Sequence, residues 1–564
     1  MRAFLLATAF LLLSLTTIAG RDKGDTLLLK EYISKYGQAE VVIDYHGREF
    51  ASAIGRVVSI DRYREGKLYL VINNLTISDF IRMAVPFDLS EPCSGEGIVT
   101  AGGAAKAMEW QSYPTYTQYD SIMRQFPAAY PGLCRLDTIG TSINGKLILV
   151  LKISDNVHVE EDDEPEVFYS STMHGDELAG FVLMMRLADY LLENYVADSR
   201  IRNLVDNLQI YINPLANPDG TYRTGDIISN PVRANANGVD LNRNFPDPAY
   251  PSMVQEKENV DMIAFMRRHR FVLSANFHSG AEVVNYPWDR WTRLHADDAW
   301  FLDLSRAYAD TVHIYAPDDY LSDYYDGVVR GSEWYLINGG RQDFVTWGLQ
   351  GREVTIEIHS VKQTPAGSLE TLWQYNYRSL VNYLSFALHG IRGRVTSVND
   401  GEPLFARISV SGHDKDSSAV YSSPGGWYGR MIEDGNWTLV FSSPGYRDTV
   451  ITGVESIPGE TTWLDVAMEP FSTGDDTARK DQIIIKPNPS DGMFTLSLPD
   501  IYDGYVKIEI VSGMGSLLLS GTRQYSAGVP VTFDLSGYAA GIYNMRVRSL
   551  HTGRLAFSRV VIVR

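Results

Sequence analysis

The stretch Val167-Phe168-Tyr169-Ser170-Ser171-Thr172-Met173-His174-Gly175-Asp176-Glu177 joins a strand-like run to a helix-like run over residues 178–196. At such a junction, His174 and Glu177 can turn a ring nitrogen and a carboxylate toward one point. They would supply two of the three protein ligands that a catalytic zinc site requires. A His-x-x-Glu pair is common by chance, so its interpretation depends on the residues that follow it in the chain.

Strand-like and helix-like runs alternate on both sides of this stretch. The strand-like runs are 147–153, 167–172, 208–213, 272–277 and 354–358, and the helix-like runs include 116–126, 178–196, 260–268 and 369–388. Pro127 is predicted to end the first of these helices. The alternation predicts an α/β domain whose mixed, mostly parallel sheet is covered by helices on both faces. Functional residues of such folds gather beyond strand ends, where His174, Asn213 and His278 lie.

Two further residues at strand ends complete a hydrolytic site. His278 follows an apolar strand and is the candidate for the third metal ligand, beside His174 and Glu177. Glu357 lies on the face of its strand opposite Val354 and Ile356, and a buried carboxylate there suits a general base. Glu353 shares that face and competes for the role, with an ion pair as its structural alternative.

A polar loop over residues 233–247 offers groups that can hold a substrate. An arginine fork pairs bidentately with a carboxylate, so Arg243 with Asn242 can grip the C-terminus of a peptide. Arg233 can face a developing oxyanion instead. The alternative for both arginines is an ordinary place at the protein surface.

The net charge and the first residues of the sequence indicate where in the cell the protein acts. The net charge of −19 over 564 residues argues against a nucleic-acid partner. Residues 1–19 combine Arg2, an apolar run and small residues before Gly20, which predicts a secretory signal peptide. No later stretch is apolar enough for a membrane span, so we expect an exported protein. Cys93 and Cys134 can form one disulfide in an oxidising compartment, and two cysteines are too few for a cysteine-based metal site.

The pattern changes along the chain predict several domains. After the signal peptide, residues 20–105 form a small α+β domain, and the sequence leaves open whether it is a prosegment or a spacer. Residues 106–390 form the α/β domain. Residues 391–470 and 482–564 carry short strands broken by turn residues, which predicts two all-β sandwiches joined by a polar linker over residues 471–481.

Six linked motifs resemble the zinc metallocarboxypeptidase family, in particular its regulatory N/E-type branch, which includes carboxypeptidase D. The resemblance covers about residues 110–390. The motifs are Asn213-Pro214 with Asn217-Pro218-Asp219-Gly220, the loop from Asn237 to Asp247, Ser274-Ala275-Asn276-Phe277-His278, Asn285-Tyr286-Pro287-Trp288-Asp289, Glu333-Trp334-Tyr335 with Gly339-Gly340, and Glu353 to Glu357.

The resemblance implies a role for each matching residue. The metal set would be His174, Glu177 and His278 around one Zn²⁺, with Glu357 as base and Arg233 at the oxyanion. Asn242, Arg243 and Tyr335 would hold the terminal carboxylate of a peptide or protein substrate. Asp289, with Gln342 and Lys362 at lining positions, would favour a C-terminal Lys or Arg.

Two arginines depart from the family pattern, and they bear on that preference. Arg341 replaces a family methionine, and Arg290 follows Asp289 where a second acid is common. Either arginine, turned inward, would neutralise Asp289. One alternative is therefore a zinc carboxypeptidase for cell-wall peptides or apolar C-termini. A separate alternative is a non-catalytic surface-binding protein on this scaffold, against which the retention of every ligand, the base and the carboxylate clamp argues.

The two β modules carry resemblances of their own. Residues 391–470 resemble the transthyretin-like sandwich that follows the catalytic domain in this branch. Residues 482–564 resemble the C-terminal sorting domain of the type IX secretion system, with an immunoglobulin-like adhesive module as the alternative. The sorting resemblance implies the type IX machinery as a partner and a place outside the outer membrane of a Gram-negative bacterium, after Sec export.

Overall fold

The structure is a computed structural model that describes residues 23–92, 95–248, 250, 253–471, 483–488, 490–499, 502–512, 517–526, 529–538, 541–550 and 555–563. The predicted signal peptide, Cys93 and residues 472–481 of the predicted linker lie outside the described residues. Cys134 is buried.

The first described unit is a four-stranded antiparallel sheet with helices packed against it. Alternate residues of its central strand, such as Val41 and Ile43, are buried, as expected for a sheet with one covered face. The strand order is β2-β3-β1-β4. The elements are α1 (Lys23–Tyr36), β1 (Gln38–Asp44), α2 (Arg48–Ile54), β2 (Ser59–Arg64), β3 (Lys67–Asn73), α3 (Ile77–Met83) and β4 (Asp88–Leu89).

An eight-stranded sheet forms the centre of the molecule. Its strands are β5 (Cys134–Thr141), β6 (Leu147–Ile153), β7 (Glu166–Ser171), β8 (Gln209–Asn213), β9 (Phe271–His278), β10 (Ala281–Tyr286), β11 (Val328–Arg330) and β12 (Arg352–His359). They lie in the order β11-β10-β12-β9-β7-β8-β6-β5. The β10–β11, β12–β9, β7–β9 and β7–β8 pairs are parallel and the other three are antiparallel, which confirms the predicted mixed, mostly parallel sheet.

Helices cover both faces of this sheet. Neighbouring residues of β6 enter opposite cores, since Leu149 and Leu151 belong to one apolar cluster and Ile148 and Val150 to another. The helices include α4 (Ala104–Ala107), α5 (Tyr116–Ala129), α6 (Ala179–Asn194), α7 (Ser199–Val205), α8 (Pro218–Thr221), α9 (Lys257–Arg268), α10 (Asp298–Tyr315), α11 (Gly331–Trp334), α12 (Arg341–Asp343) and α13 (Leu369–Ser385), with a further single turn over Asp323–Asp326.

Helix α5 ends later than its sequence indicates. Pro127 lies inside the helix, so the prediction that it ends the helix is wrong. A proline lacks one backbone donor and disfavours a helix interior. Here the buried stripe through Ile122, Met123 and Phe126 packs against the core and holds the last turn in place.

Two all-β units follow, each with two sheets around an apolar core. The first contains β13 (Gly390–Ser397), β14 (Arg407–Val410), β15 (Val420–Tyr421), β16 (Trp427–Arg430), β17 (Gly435–Ser442), β18 (Thr449–Ser456), β19 (Thr461–Trp463) and β20 (Val466–Met468). The second contains β21 (Ile484–Lys486), β22 (Met493–Ser497), β23 (Gly504–Ser512), β24 (Leu517–Tyr525), β25 (Val531–Asp534), β26 (Gly541–Ser549) and β27 (Leu555–Ile562). Among the described residues, no helix has the length and apolar character needed to cross a membrane.

A buried ionic cluster joins the first all-β unit to the central one. Asp297 accepts hydrogen bonds from Arg352 of β12 at 2.6 Å and from Arg430 of β16 at 2.7 Å. Burial alone would raise the pKa of Asp297, but the two guanidinium groups hold it below its usual value. Since all three side chains are buried, separating the two units would leave unpaired charge.

Candidate metal centre and active site

Three parallel strands bring the predicted site residues to one edge of the central sheet. β7, β9 and β12 are neighbours, and Glu357 lies opposite His278 in the register of β12 and β9. His174 follows the end of β7 by three residues. The turn that carries it is tightly packed, because a Cβ added at Gly175 would lie 2.4 Å from the Gly220 carbonyl carbon.

The side chains of His174, Glu177 and His278 converge on one point. His174 Nδ1 lies 2.8 Å from Glu177 Oε1, and His278 Nδ1 lies 2.7 Å from Glu177 Oε2. The two Nδ1 atoms are 3.0 Å apart. Burial alone would raise the pKa of Glu177, but the two facing histidines hold it well below its usual value.

The outer nitrogens of the two rings have partners that fix their orientation. His174 Nε2 lies 3.1 Å from Asp240 Oδ1, and His278 Nε2 lies 2.7 Å from the Asn276 side-chain amide. Such contacts orient metal-binding imidazoles and set which nitrogen faces the metal. Both Nδ1 atoms therefore point into the shared space with Glu177.

This arrangement fits a zinc ion. Ligand atoms at about 2.0–2.1 Å from a tetrahedral zinc lie roughly 3.3 Å from one another, close to the separations between these three groups. Two histidines and one carboxylate leave a fourth position open, as in catalytic rather than structural zinc sites. His174, Glu177 and His278 also satisfy the general geometry of a metal-binding group.

Glu357 lies in the same cavity as the three candidate ligands. Its Oε2 atom is buried and has no hydrogen-bond partner among the described residues. Burial, together with the charges of Glu177 and Asp61, raises its pKa well above the usual value. A carboxylate held in this way is suited to accepting and releasing a proton.

Arg233 links the candidate ligands to the polar loop. Its Nη1 donates to Glu177 Oε1 at 3.2 Å, and its Nε donates to Asp240 Oδ2 at 2.9 Å. Asp240 thus contacts both Arg233 and the ligand His174. Arg233 is buried and fixed at the edge of the cavity.

Asn242, Arg243 and Tyr335 also line this cavity. Arg243 donates from Nη1 to the Asn242 carbonyl at 2.9 Å and from Nη2 to the Ile60 carbonyl at 3.0 Å. The Tyr335 hydroxyl donates to the Asp61 carbonyl at 3.2 Å. Two of the predicted carboxylate-binding groups therefore contact carbonyl oxygens of the N-terminal unit.

Asp289 also lines the cavity and contributes a carboxylate to it. Its Oδ1 accepts hydrogen bonds from Asn285 at 2.9 Å and from Gln342 at 3.0 Å. Burial raises the pKa of Asp289 to about 6. The backbone of Gly331 comes so close that an added Cβ would lie 1.8 Å from Asp289 Oδ1, so any other residue at this position would displace the Asp289 side chain.

The two arginines that depart from the family pattern do not contact Asp289. Arg341 is fully buried and donates to Glu353 at 3.0 Å, with its guanidinium over the Phe168 ring. Arg290 forms an ion pair with Asp247. Glu353, the competitor for the role of base, is therefore held in an ion pair, which was its structural alternative.

Nine of the ten predicted site residues line one cavity, and Gln342 contacts Asp289 behind it. The nine are His174, Glu177, Arg233, Asn242, Arg243, His278, Asp289, Tyr335 and Glu357. Asn213 is not among them, because its side chain bonds to Leu149 and Ser170 within the sheet. The sequence interpretation missed Asp240, although it lies within a quoted motif, and Asp61, which no local pattern marks.

Comparisons with known proteins identify the families that two segments of the chain match. The zinc carboxypeptidase family model matches residues 119–379, and the secretion system C-terminal sorting domain model matches residues 485–562. Carboxypeptidase D of Rattus norvegicus is 31% identical over 418 residues, which cover 68% of this chain and 30% of that protein. The chain thus spans under a third of the length of that relative.

A second relative is matched over most of its length. The carboxypeptidase N catalytic chain of Homo sapiens is 33% identical over 393 residues, covering 62% of this chain and 84% of the relative. A crystal structure of carboxypeptidase A from Helicoverpa armigera matches with a TM-score of 0.49 and 18% identity, over 62% of this chain and 97% of that one. By its family-model match and its likeness to the carboxypeptidase N catalytic chain, this chain belongs to the zinc carboxypeptidase family.

Proposed function

We propose that this chain is a zinc-dependent exopeptidase that removes single C-terminal residues, preferably Lys or Arg, from peptides and proteins. The observation that carries the proposal is one cavity lined by the His174-Glu177-His278 group, Glu357, the Arg243 guanidinium and Asp289. A metal site, a proton acceptor, a carboxylate-binding group and an acidic side-chain pocket are the four parts that such a reaction needs.

Glu357 would move the proton in this reaction. Zinc bound by His174, Glu177 and His278 would supply Lewis-acid polarisation of a carbonyl and acidification of water. Glu357 accepts a proton from the attacking water and later passes it to the leaving amine. Its buried Oε2, without a hydrogen-bond partner among the described residues, is free for that transfer.

Asn242, Arg243 and Tyr335 would restrict the reaction to chain ends. An arginine fork pairs well with a free carboxylate, and an internal peptide bond carries no such charge. Arg233 lies beside Glu177 and would donate to the oxygen of the scissile carbonyl as negative charge develops there. Positioning by these groups favours the last peptide bond of a substrate.

Asp289 would select the side chain of the departing residue. A buried carboxylate favours a cationic partner and disfavours an apolar one, which would leave the charge unpaired. The structure supports this role, because Arg341 and Arg290 are engaged elsewhere and do not neutralise Asp289. We therefore propose substrates with a basic C-terminal residue, rather than apolar C-termini or cell-wall peptides.

Replacing Asp289 with asparagine should lower kcat/KM for a peptide ending in Arg by about 10- to 100-fold, because a charge-assisted contact is lost. The effect on a peptide ending in Phe should be much smaller. The measurement compares C-terminal Arg, Lys, Phe and Glu on one blocked peptide. Asp310→Asn, at an exposed carboxylate of α10, is the control. A wild-type preference for Phe, or equal losses on all four peptides, would exclude Asp289 as the selector.

We further propose that the chain is exported through the type IX system and acts outside the outer membrane of a Gram-negative bacterium. The support is the match of residues 485–562 to a sorting domain and the signal-like residues 1–19. Sequencing of the exported protein should find an N-terminus at or after Gly20. Retention of the protein inside cells, with residues 1–19 uncleaved, would contradict export.

The first all-β unit, which resembles a transthyretin-like sandwich, would have a stabilising role. Its Arg430 enters the buried cluster at Asp297, and the unit contributes none of the residues that line the proposed active site. A buried pair of this kind resists separation of the two units.

A further inference from the structure

The connection between β6 and β7, residues 154–165, is strongly acidic and is called the acidic loop below. It contains five consecutive acidic residues, 160–164. The loop lies at the end of β7 opposite to the end that leads to His174. It also contacts the first all-β unit, because Arg392 donates to the Asp163 carbonyl at 2.9 Å. Adjacent carboxylates repel one another, so the loop needs positive charge or bound protons to keep one conformation.

Three carboxylates of the acidic loop meet at one place. Asp155, Glu161 and Glu164 each offer one oxygen, and these oxygens all lie within 4.8 Å of one another. Each of the three residues, called the acidic cluster below, also has one buried carboxylate oxygen without a hydrogen-bond partner among the described residues. Buried polar atoms normally have a partner, and three unpartnered oxygens in one cluster therefore require an explanation.

The side-chain amide of Gln209, the first residue of β8, faces the same part of the loop. Gln209 is 2% exposed. Its Nε2 donates to the carbonyl oxygens of Glu161 at 2.8 Å and of Glu164 at 3.4 Å, which fixes the orientation of the amide. Its Oε1 has no hydrogen-bond partner among the described residues. An amide oxygen can only accept, so an unpartnered one beside three carboxylates points to a bound cation.

The basic side chains near the acidic loop are bound to other groups. Lys152 donates to the Val159 carbonyl at 3.0 Å and to Glu160 at 3.2 Å. Arg135 forms an ion pair with Asp137 at 3.0 Å. Within the part of the chain that the structure describes, no Lys, Arg or His pairs with a carboxylate of the acidic cluster. The protein itself thus leaves the charge of the cluster unneutralised.

Crowding of these carboxylates favours the protonated form of Glu164. Burial, with the charges of Glu161, Asp155 and Asp163, raises the pKa of Glu164 to about 8. Burial and the charge of Asp206 also raise the pKa of Asp155. A divalent cation would displace the proton and pair with all three carboxylates of the acidic cluster at once.

The donor atoms at this place are those that calcium prefers. Oxygen ligands about 2.4 Å from one Ca²⁺ ion are at most ~4.8 Å apart, which agrees with the separations in the acidic cluster. A set of carboxylate and amide oxygens, without histidine or cysteine, favours a hard cation over zinc. Glu161, Glu164 and Gln209 line one cavity of about 590 Å³, which leaves room for water molecules to complete the coordination.

We propose that Asp155, Glu161 and Glu164, with the side-chain oxygen of Gln209, bind one structural Ca²⁺ ion. The ion neutralises the acidic cluster and holds the acidic loop in one conformation against the first all-β unit. The site lies at the opposite end of β7 from His174, so it is separate from the proposed zinc site and does not depend on the proposed function.

Calorimetric titration of the full, zinc-saturated chain with Ca²⁺ tests the site. We expect about one Ca²⁺ per chain with a Kd of roughly 10⁻⁵ to 10⁻³ M. Glu164→Gln keeps the shape of the side chain and should weaken binding at least about 30-fold, because affinity follows the number of charged ligands. Asp163→Asn, at the adjacent exposed carboxylate outside the cluster, is the matched control and should change Kd less than about three-fold.

The titration has two results that would overturn the proposal. One is a wild-type chain that binds no Ca²⁺ up to about 10 mM, well above the Kd of extracellular calcium sites. The other is Glu164→Gln with the same Kd as wild type.

Thermal unfolding separates a bound ion from a purely structural role of the same side chains. In wild type, about 10 mM Ca²⁺ should raise Tm by about 2–5 °C, and Mg²⁺ at the same concentration should raise it much less. Without Ca²⁺, Glu164→Gln should unfold at or above the wild-type Tm, since it removes a repelling charge, and added Ca²⁺ should leave its Tm unchanged. Equal shifts with Ca²⁺ and Mg²⁺, or equal gains in wild type and Glu164→Gln, would overturn the proposal.

Hydrogen exchange in the wild-type chain gives a readout that needs no variant. Amides of residues 155–164 should exchange more slowly with Ca²⁺ than without it, because the ion fixes the acidic loop. Amides of β11, which lies at the far edge of the central sheet, should be unaffected. Unchanged exchange over residues 155–164 at saturating Ca²⁺ would overturn the proposal.

Discussion

Replacement of Glu357 with glutamine should lower kcat by about 100- to 10,000-fold, the range in which a positioned general base contributes. Glutamine keeps the size of the side chain but cannot accept a proton from water. KM should change little, because glutamine preserves the shape of the side chain beside the groups proposed to bind the terminal carboxylate and the departing side chain. The measurement is steady-state hydrolysis of a blocked peptide ending in Arg.

The matched control for this variant is Glu282→Gln. Glu282 lies on the neighbouring strand β10, opposite Ile358, but its carboxylate bonds to the backbone of Ser360 outside the cavity. The Glu282→Gln substitution should reduce kcat by less than a few-fold. A near-normal kcat for Glu357→Gln would remove Glu357 as the base and return attention to Glu353, although the latter is paired with Arg341.

Replacement of His278 with alanine should abolish zinc binding at stoichiometric metal and reduce turnover by at least about 1,000-fold, since Lewis-acid stabilisation amounts to several kcal/mol. Two ligands remain, His174 and Glu177, and two protein ligands are fewer than a catalytic zinc site needs. The measurement is zinc content per chain after gel filtration, together with the rate on the same peptide.

His158→Ala is the control for the ligand variant, because His158 is exposed, its ring lies 3.0 Å from the Pro131 carbonyl, and it does not line the cavity of the candidate ligands. It should keep one zinc per chain and full activity. Excess zinc should restore part of the His278→Ala rate if the two remaining ligands still hold the ion weakly. Full activity of His278→Ala without zinc would show that the reaction does not depend on this metal site.

The sequence predicted the centre of the fold because its signals are local and repeated. The apolar run 147–153 predicted both ends of β6 as they are observed. His278 and Glu357, which the sequence placed at strand ends, lie opposite each other on neighbouring strands. Parallel neighbours align their carboxyl ends, so residues far apart in the chain meet without any local pattern that joins them. The resemblance to a known family then indicated which of the residues at the strand ends act together.

Other features depended on contacts that no local pattern reveals. Pro127 was predicted to end a helix that packing of Phe126 extends. The direction of Arg341 is set by Glu353, twelve residues later, and by the Phe168 ring, so its distance from Asp289 could not be predicted. Asp61 lies in an ordinary amphipathic strand, and only the tertiary structure shows that its carboxylate reaches Arg233, 172 residues away.

Diffraction from crystals of the purified chain, recorded on both sides of the zinc absorption edge, tests the central assignment most directly. We expect one strong anomalous peak about 2.0–2.2 Å from His174 Nδ1, His278 Nδ1 and a carboxylate oxygen of Glu177. A zinc-containing crystal whose peak lies away from these three side chains, or zinc-saturated protein with no peak between them, would contradict it.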